Sequence, residues 1–193
     1  MKVCFASHNA NKVKELNEMV PDHISILGLE ELGIKEDIEE SGKTLEENSL
    51  IKARYVFEKH KIPVIADDSG LVVHALNGEP GVYSARYAGP EKNDDMNMDL
   101  LLKNLETVSD RSAAFQTVIS YIDESGQLNQ FKGEIQGKII DVKKGNNGFG
   151  YDPIFQPIGY EGTFAELSSD LKNRISHRAR AVHKLLEYLR QEL

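Results

Sequence analysis

Two adjacent carboxylates, Asp67 and Asp68, follow an apolar segment and precede Ser69 and Gly70. Two acids at the end of a strand repel each other unless a positive charge lies between or beside them. A divalent cation with oxygen ligands supplies that charge, and nucleotide phosphates require the same kind of cation. The same residues are also favourable turn chemistry. The pair therefore indicates either a metal site for phosphate chemistry or a polar turn.

The phosphate loop, as we name residues 7–12, reads Ser-His-Asn-Ala-Asn-Lys and lies between the first predicted strand and the first predicted helix. Such a junction offers free backbone amides and the positive end of the helix dipole, which suit a phosphate. Ser7 and Asn9 add side-chain donors, and Lys12 adds a full positive charge. The alternative is an ordinary helix cap followed by a surface lysine.

Acidic side chains dominate residues 36–42, and Glu46 and Glu47 follow them. Runs of this kind usually form a solvated face. If the run folds over the end of the sheet that carries Asp67 and Asp68, one of its glutamates can complete a metal site. The pattern does not indicate which glutamate that is.

Glycines flank an aromatic residue in residues 148–155, Gly-Phe-Gly-Tyr-Asp-Pro-Ile-Phe. Glycine lets the backbone approach a flat ligand closely, and Phe149 or Tyr151 can stack on a nucleobase. The alternative is a tight loop with one aromatic side chain anchored in the core.

Cationic side chains occur near the start of the last predicted helix, at Lys172, His177 and Arg178. At about 100° per residue, His177 and Arg178 point away from the apolar stripe that begins at Ile175. We therefore predict that neither side chain is part of the core. Each is either a ligand-binding group or a solvated surface charge.

The elements that must position these residues alternate between strand and helix. The predicted strands are residues 2–6, 25–27, 63–66 and 71–75, the predicted helices are 11–20, 44–60 and 93–105, and a hairpin of 113–123 and 128–140, a loop at 143–150 and a C-terminal helix follow. The predicted core stripe of that last helix is Ile175, Ala179, Val182, Leu186 and Leu189. This order predicts an α/β protein with a mixed sheet. We expect a single domain, residues 1–193, with two lobes around a cleft for the ligand.

The 193 residues carry a net charge of −8, with 40% hydrophobic and 28% charged side chains. This composition is typical of a globular protein, and the acidic balance argues against binding to duplex nucleic acid. The single cysteine, Cys4, excludes an intramolecular disulfide, and its apolar neighbours predict a buried thiol. We recognise no targeting segment and no apolar stretch of about 18 residues, so we expect a cytoplasmic protein without membrane contact.

Seven segments, taken in order, resemble the inosine/xanthosine triphosphate pyrophosphatase family. They are Ser7-x-Asn9-x-x-Lys12, Glu39-Glu40-Ser41-Gly42, Thr44-x-x-Glu47-Asn48-Ser49, Ala66-Asp67-Asp68-Ser69-Gly70-Leu71, Gly81-x-Tyr83-Ser84-Ala85-Arg86-Tyr87, Phe149-Gly150-Tyr151-Asp152-Pro153-Ile154-Phe155 and Ile175-Ser176-His177-Arg178. The likeness runs from Val3 to the C-terminal helix. It departs at His8, where many members of that family carry glycine, which could narrow the phosphate loop.

The resemblance implies a magnesium-dependent enzyme, with manganese able to replace magnesium, that hydrolyses ITP, dITP and XTP to the monophosphate and pyrophosphate. It also implies an elongated mixed sheet flanked by helices, two lobes around a central cleft, and a homodimer. Glu40 and Asp68 match the metal ligands of the family, Asp68 also matches its proton acceptor, and adjacency makes Asp67 a candidate helper. The substrate-binding positions correspond to Ser7, His8, Asn9, Ala10, Asn11, Lys12, Ser69, Phe149, Gly150, Tyr151, Asp152, Lys172, His177 and Arg178.

Base recognition has a donor–acceptor logic under this reading. Arg178 and protonated His177 would donate to the 6-keto oxygen of hypoxanthine or xanthine, whereas the 6-amino group of adenine would leave those donors unpaired. Two alternatives remain: a nucleotide pyrophosphatase with another modified-base preference, and a nucleotide sensor without turnover. The intact carboxylates argue against the sensor, because a pure binder needs no acid to activate water.

Overall fold

Six strands form one mixed sheet in the computed structural model, which describes residues 1–192. In chain order the strands are β1 (Lys2–Phe5), β2 (Ser25–Leu27), β3 (Val64–Val73), β4 (Ser112–Ile122), β5 (Leu128–Ile139) and β6 (Phe155–Pro157). They lie side by side in the order β2–β1–β3–β4–β5–β6. β1 pairs in parallel with both β2 and β3, whereas β5 pairs antiparallel with β6. The predicted mixed α/β architecture is therefore confirmed.

Helices alternate with these strands as predicted. They are α1 (Ala10–Met19), α2 (Leu45–His60), α3 (Asp94–Asn104), α4 (Ser169–Ile175) and α5 (His177–Glu192), with short 3-10 helices at Glu30–Leu32, His74–Leu76 and Gly81–Arg86. The capping box at the start of α2 is present: the Glu47 amide donates to the Thr44 hydroxyl at 3.1 Å, and the Thr44 amide donates to the Glu47 carboxylate at 3.2 Å. Asn93 caps α3 by accepting a hydrogen bond from the Met96 amide.

The two predicted strands at 63–66 and 71–75 are a single ten-residue strand, β3, so the polar turn between them does not exist. Asp67 and Asp68 lie inside this strand, where they are 1% and 6% exposed. Carboxylates stay in a buried strand only where nearby cations offset their charge. Gly70 serves close packing instead of a turn, because a Cβ there would lie 2.4 Å from the Gly81 carbonyl oxygen.

The chain packs as two compact units, each with its own apolar core. The first unit comprises Met1–Asp68, Thr117–Gly133 and the chain from Arg178 onward, and the second comprises Ser69–Gln116 and Glu134–His177. Core residues of the first unit include Phe5, Leu16, Val56, Val64 and Leu185, and those of the second include Leu101, Phe115, Phe155 and Phe164. The cleft expected between two lobes stays a prediction.

The single predicted C-terminal helix is two helices, α4 and α5, separated by extended backbone at Ser176. Ile175 therefore ends α4 and packs against the core of the second unit, instead of leading the stripe of α5. The buried residues of α5 after Arg178 are Ala179, Ala181, Val182, Leu185 and Leu189, with Leu186 partly buried. The predicted stripe assumed one continuous helix, and the break at Ser176 changes its register.

The predicted hairpin and the predicted buried thiol are both confirmed. β4 and β5 are neighbours in the sheet, and their turn is closed by the Asp123 amide, which donates to the Gln127 carbonyl at 3.1 Å. Cys4 is fully buried in β1, and burial raises the pKa of its thiol to about 12. Within residues 1–192 the helices are too short or too polar for a membrane span.

Candidate active site

The phosphate loop joins β1 to α1. Asn9 caps the helix, since its side-chain oxygen accepts hydrogen bonds from the Asn11 and Lys12 amides at 3.0 and 3.2 Å. The Asn9 amide in turn donates to the Ser7 hydroxyl at 3.2 Å. Residues 8–11 are exposed, so the loop is capped from within and open to solvent.

Lys12 is not a surface lysine. Its side chain is 14% exposed, and its ammonium nitrogen lies 3.1 and 3.2 Å from the two carboxylate oxygens of Asp67. Arg178 reaches the same carboxylate from α5, with 3.3 Å between Nε and Oδ2. Burial acts to raise the pKa of Asp67, but the charges of Lys12, Arg178 and Lys52 outweigh it and hold that pKa well below its ordinary value.

Arg178 is 2% exposed, so the prediction that it lies outside the core is wrong. Besides Asp67, its guanidinium binds the carboxylate of Glu15 on α1. A guanidinium between two carboxylates can be buried because its charge is compensated. Sequence reasoning missed Glu15, although its position three residues after Lys12 places both on one face of α1.

Lys52 on α2 is a second residue that sequence reasoning missed. Its ammonium nitrogen lies 2.6 Å from Glu40 Oε1 and 3.9 Å from Asp68 Oδ1, and its side chain is 11% exposed. One cation therefore contacts both carboxylates that the resemblance assigns to a metal. The signal was helical spacing: Lys52 shares a face of α2 with Asn48 and Val56, and all three are buried.

Asp68 has a pKa shift opposite to that of its neighbour Asp67. Burial raises the pKa of Asp68 to about 6, and the charge of Glu40 adds to the rise, whereas Lys52, Lys12 and a hydrogen bond with Asn48 oppose it. A carboxyl group that titrates near neutral pH, beside one that stays ionised, is typical of a site where one acid exchanges a proton during a reaction.

The acidic run is not a uniform solvated face. Glu40 is 26% exposed at its side chain and contacts Lys52, as described above, while Glu36 binds side chains of α2. The Gly42 amide donates to the Asn48 side-chain oxygen at 2.8 Å, which fixes the end of the run against the same helix. Glu40 is therefore the glutamate of the run that the fold brings near Asp68.

Glu40 and Asp68 fit a magnesium ion by their chemistry. Among residues 1–192, no group of three or more His, Cys, Asp or Glu side chains is arranged to hold a metal. Magnesium, however, commonly binds through one or two carboxylates together with substrate phosphates. Burial and the charge of Glu40 raise the pKa of Asp68 although Lys52 contacts both carboxylates, so a divalent cation would further offset their repulsion.

In the second unit, Lys172 and Asp152 form a buried ion pair, with 2.7 Å between Nζ and Oδ2. The same carboxylate oxygen accepts a hydrogen bond from the Phe149 amide at 2.9 Å. The Lys172 ammonium also lies 4.7 Å from the centroid of the Phe149 ring. Three predicted substrate-binding residues are therefore in mutual contact.

Position 148, beside this ion pair, accepts only glycine without a change in the structure. Its φ is +76°, and a Cβ there would lie 2.0 Å from Asp152 Oδ2. Gly150, with a φ of +61°, donates its amide hydrogen to the Asp94 carboxylate at 2.7 Å. The two glycines thus fix the path of the backbone on either side of Phe149.

Tyr151 is the aromatic residue anchored in the core. It is 4% exposed, and its hydroxyl donates to the Ser84 carbonyl at 2.7 Å. Phe149 is half-buried, so it is the more accessible of the two predicted stacking residues.

His177 is 4% exposed, and the prediction that it lies outside the core is wrong. Its ring stacks on Phe115, with centroids 4.7 Å apart and planes 10° apart. The helical angle measured from Ile175 does not apply, because α5 begins only at His177.

The predicted site residues are thus divided between the two units. The first unit holds the phosphate loop with Lys12, and also Glu40, Asp67, Asp68 and Arg178. The second holds Ser69, Phe149, Gly150, Tyr151, Asp152, Lys172 and His177. Along the chain, Ser69 follows Asp68 directly and is half-buried, and His177 directly precedes Arg178.

Comparison with known proteins shows similarity along nearly the whole chain. The model of the Ham1 family matches residues 3–188. A dITP/XTP pyrophosphatase from Christiangramia forsetii is 50% identical over 189 residues, which cover 98% of this chain and 99% of the relative. A dITP/XTP pyrophosphatase from Flavobacterium johnsoniae is 51% identical and covers 98% of each chain.

Solved structures agree with these matches. The Ham1 protein of Staphylococcus aureus superposes with a TM-score of 0.91 at 44% identity, covering 100% of both chains. A HAM1 protein from Coxiella burnetii also gives a TM-score of 0.91, at 40% identity and 99% coverage of both chains.

Proposed function

The chain belongs to the Ham1 family, and we propose that it hydrolyses deaminated purine nucleoside triphosphates, namely dITP, XTP and ITP. The products are the nucleoside monophosphate and pyrophosphate, so the reaction removes these nucleotides before they enter DNA or RNA. The names of the relatives from Christiangramia forsetii and Flavobacterium johnsoniae support this activity.

The contacts of Asp68 are the observation that carries the proposal. Its carboxyl group is buried, lies 3.9 Å from the Lys52 ammonium, and has a pKa raised to about 6. Glu40 binds the same ammonium at 2.6 Å. A buried carboxyl group next to a second carboxylate and a fixed cation suits metal-assisted hydrolysis of a phosphoanhydride better than it suits simple ligand binding.

We infer that the reaction uses magnesium, held by Glu40 and Asp68. When bound, this ion offsets the charge of the phosphates, which is roughly four negative units on a triphosphate. Lys12 and Lys172 supply further positive charge, and each already binds a carboxylate in this structure, at Asp67 and Asp152. Exchange of a carboxylate contact for a phosphate contact would leave each ammonium paired.

Asp68 would orient the attacking water and accept its proton. Water would attack the α-phosphorus in line, breaking its bond to the bridging oxygen, and Lys12 and Lys172 would stabilise the charge of the leaving pyrophosphate. The neighbouring carboxylate of Asp67 stays ionised between Lys12 and Arg178, so it positions those cations and takes no proton. The division of roles follows from the contacts of the two acids, since Lys12 and Arg178 bind Asp67 at 3.1 and 3.3 Å whereas Lys52 lies 3.9 Å from Asp68.

Base selection would fall to His177, Arg178 and the segment 149–152. A 6-keto oxygen accepts a hydrogen bond from a cationic donor, whereas the 6-amino group of adenine cannot. Guanine carries the same keto group, so its exclusion requires a pocket that rejects the 2-amino group. Phe149, half-buried beside Lys172, is the residue best placed to stack on a base.

Phosphorus NMR of dITP incubated with the enzyme tests the proposed chemistry. With magnesium we expect signals of the monophosphate and pyrophosphate, and with EDTA we expect unchanged dITP. Formation of the diphosphate and inorganic phosphate would contradict the pyrophosphatase assignment. No reaction with magnesium or manganese would favour the nucleotide sensor.

The family likeness also supports a homodimer, which light scattering on the purified protein tests.

A further inference from the structure

On the surface of the first unit, the carboxylate of Glu36 accepts hydrogen bonds from two side chains of helix α2. Lys59 Nζ lies 3.1 Å from Glu36 Oε1, and the Tyr55 hydroxyl donates to the same oxygen. Lys59 also donates to the Tyr55 hydroxyl and lies 4.0 Å from the centroid of its ring. The other carboxylate oxygen of Glu36 accepts a hydrogen bond from the Lys35 amide at 3.2 Å.

These contacts fix the ionised form of Glu36. The hydrogen bond from Tyr55 is the main cause that lowers the pKa of Glu36 to about 2, and Lys59 contributes as well. Three side chains from two elements therefore form one charge-assisted network, although each is partly exposed. The proposed reaction does not use any of them.

The backbone of Glu36 reaches a different part of the molecule. Its carbonyl oxygen lies 3.1 Å from His8 Nε2. His8 is the second residue of the phosphate loop, and it precedes the helix cap, Asn9. Glu36 thus links α2, through its side chain, to the phosphate loop, through its main chain.

Glu36 also lies four residues before Glu40, in a segment that makes further contacts with the first unit. Ile34 is 3% exposed in the core of the first unit, and Ile38 packs partly against the same core. Glu40 then binds Lys52 at 2.6 Å. The segment is thus anchored on both sides of Glu36, and Glu36 itself contacts both α2 and the phosphate loop.

We propose that Glu36 is a positioning residue for the proposed reaction, and that it fixes the phosphate loop and Glu40 in their positions relative to each other. The Glu36 clamp, as we name this set, consists of His8, Glu36, Tyr55 and Lys59. The inference rests on the proposed function, in which the phosphate loop binds phosphates and Glu40 binds magnesium. Glu36, Tyr55 and Lys59 are not among the residues proposed to bind the substrate or the metal, so the expected effect of the clamp is on geometry.

Tyr55→Phe tests the clamp with the smallest change, since it removes one hydroxyl and keeps the ring. We expect the magnesium concentration for half-maximal activity to rise about three- to tenfold, with kcat within about twofold of the wild type. Tyr188→Phe is the matched control, because Tyr188 is also half-buried in the first unit and its hydroxyl accepts a hydrogen bond from Asn129 at 3.0 Å. The control should leave the magnesium requirement unchanged.

His8 variants separate the hydrogen bond from the size of the side chain. His8→Ala removes the donor to Glu36, and His8→Gln restores an N–H donor at similar reach. We expect His8→Ala to raise the magnesium requirement and His8→Gln to recover most of the loss. In the double variant His8→Ala/Tyr55→Phe, the magnesium requirement should rise no further than in the more affected single variant. Both changes break the same link between α2 and the phosphate loop, so their effects should not add.

Hydrogen exchange gives a readout that does not depend on activity. Amides of residues 35–42 and of the phosphate loop should exchange faster in Tyr55→Phe than in Tyr188→Phe, with equal melting temperatures. An inactive wild type would overturn the proposed function, and the exchange result would still decide the clamp. Equal exchange and equal magnesium curves for Tyr55→Phe and its control would overturn the clamp while leaving the proposed function intact.

Discussion

Asp67 and Asp68 are consecutive residues of β3, yet their carboxyl groups have opposite electrostatic environments. Asp67 lies within 3.3 Å of both Lys12 and Arg178, and its pKa is held well below the ordinary value. The Lys52 ammonium lies 3.9 Å from Asp68, Glu40 is nearby, and burial raises the pKa of Asp68 to about 6. Successive side chains of a strand point to opposite faces, so adjacent acids can meet different partners.

Asp68→Asn should remove turnover and leave the fold intact. The amide has the shape of the carboxyl but cannot accept a proton or neutralise a metal, so we expect kcat to fall by at least about 10²-fold. The measurement is pyrophosphate release from dITP beside a urea unfolding curve. Turnover near the wild-type rate in the folded variant would remove Asp68 from the mechanism.

Asp67→Asn should instead destabilise the protein. The variant leaves the buried charges of Lys12 and Arg178 without their shared carboxylate, and breaking a buried ion pair costs about 3 kcal/mol or more. Glu18→Gln is the control, because Glu18 pairs with Lys14 at 3.9 Å on the exposed face of α1, where such pairs contribute less than about 1 kcal/mol. Equal unfolding free energies for the two variants would contradict the buried network.

The pH dependence of stability should differ between the metal-free wild type and Asp68→Asn. The folded protein holds the Asp68 proton up to about pH 6, whereas the unfolded chain releases it near the ordinary value of 3.8. The folded state therefore holds the Asp68 proton in this window, and the contribution of Asp68 to stability falls as the pH rises from about 4 to about 6. Asp68→Asn should lack this loss, which is on the order of 2 kcal/mol.

Urea unfolding in EDTA between pH 4 and pH 7.5 measures this difference. The difference in unfolding free energy between Asp68→Asn and the wild type should grow with pH up to about 6 and then stay constant. A gap that does not change with pH would show that the pKa of Asp68 is not raised in the folded protein.

Gly148→Ala should raise KM through Asp152. The new Cβ would lie 2.0 Å from Asp152 Oδ2, the oxygen that binds Lys172 and the Phe149 amide. We expect KM for dITP to rise about tenfold or more, because the displaced pair is part of the proposed substrate site.

Gly159→Ala is the matched control for this variant. Gly159 also has a positive φ, +86°, but no atom lies within 4 Å of a Cβ built there. Both variants carry the backbone strain of alanine at positive φ, of about 1 kcal/mol, and only Gly148→Ala moves Asp152. Similar KM values for the two would show that the Asp152–Lys172 pair does not contact the substrate.

Local patterns in the sequence predicted most of the fold. Thr44 and Glu47 indicate the start of α2, because a capping box depends only on residues three apart. The turn-forming residues Glu124, Ser125 and Gly126 likewise indicate the predicted hairpin from adjacent residues alone. These signals depend on neighbouring residues, and in these two places no distant contact overrode them.

The errors occurred where distant charges decide local structure. Asp67, Asp68 and Ser69 are typical turn residues, and they remain in a strand because Lys12, Arg178 and Lys52 reach them from three helices. Arg178 is buried for the same reason, because carboxylates compensate its charge, although helical periodicity predicted that it lies outside the core. Sequence spacing did not reveal these partners, since they lie far apart along the chain.

The sequence named candidate site residues, but most of their contacts could not be predicted from it. The motifs located Lys12, Glu40 and Asp68, and the structure brings these residues into the first unit. Lys52 and Glu15 were missed because a charged residue on a helix is usually solvated, and only the packing of α1 and α2 shows that these two contact site residues.

The rate of pyrophosphate release from ITP, dITP, XTP, GTP and ATP, with magnesium and then with EDTA, tests the central claim most directly. The account predicts fast release from the first three nucleotides, slow release from GTP and ATP, and none with EDTA. Equal rates on all five would contradict the proposed base selection. Release that persists in EDTA would contradict the proposed metal site, and no release from any of the five would contradict the proposed function itself.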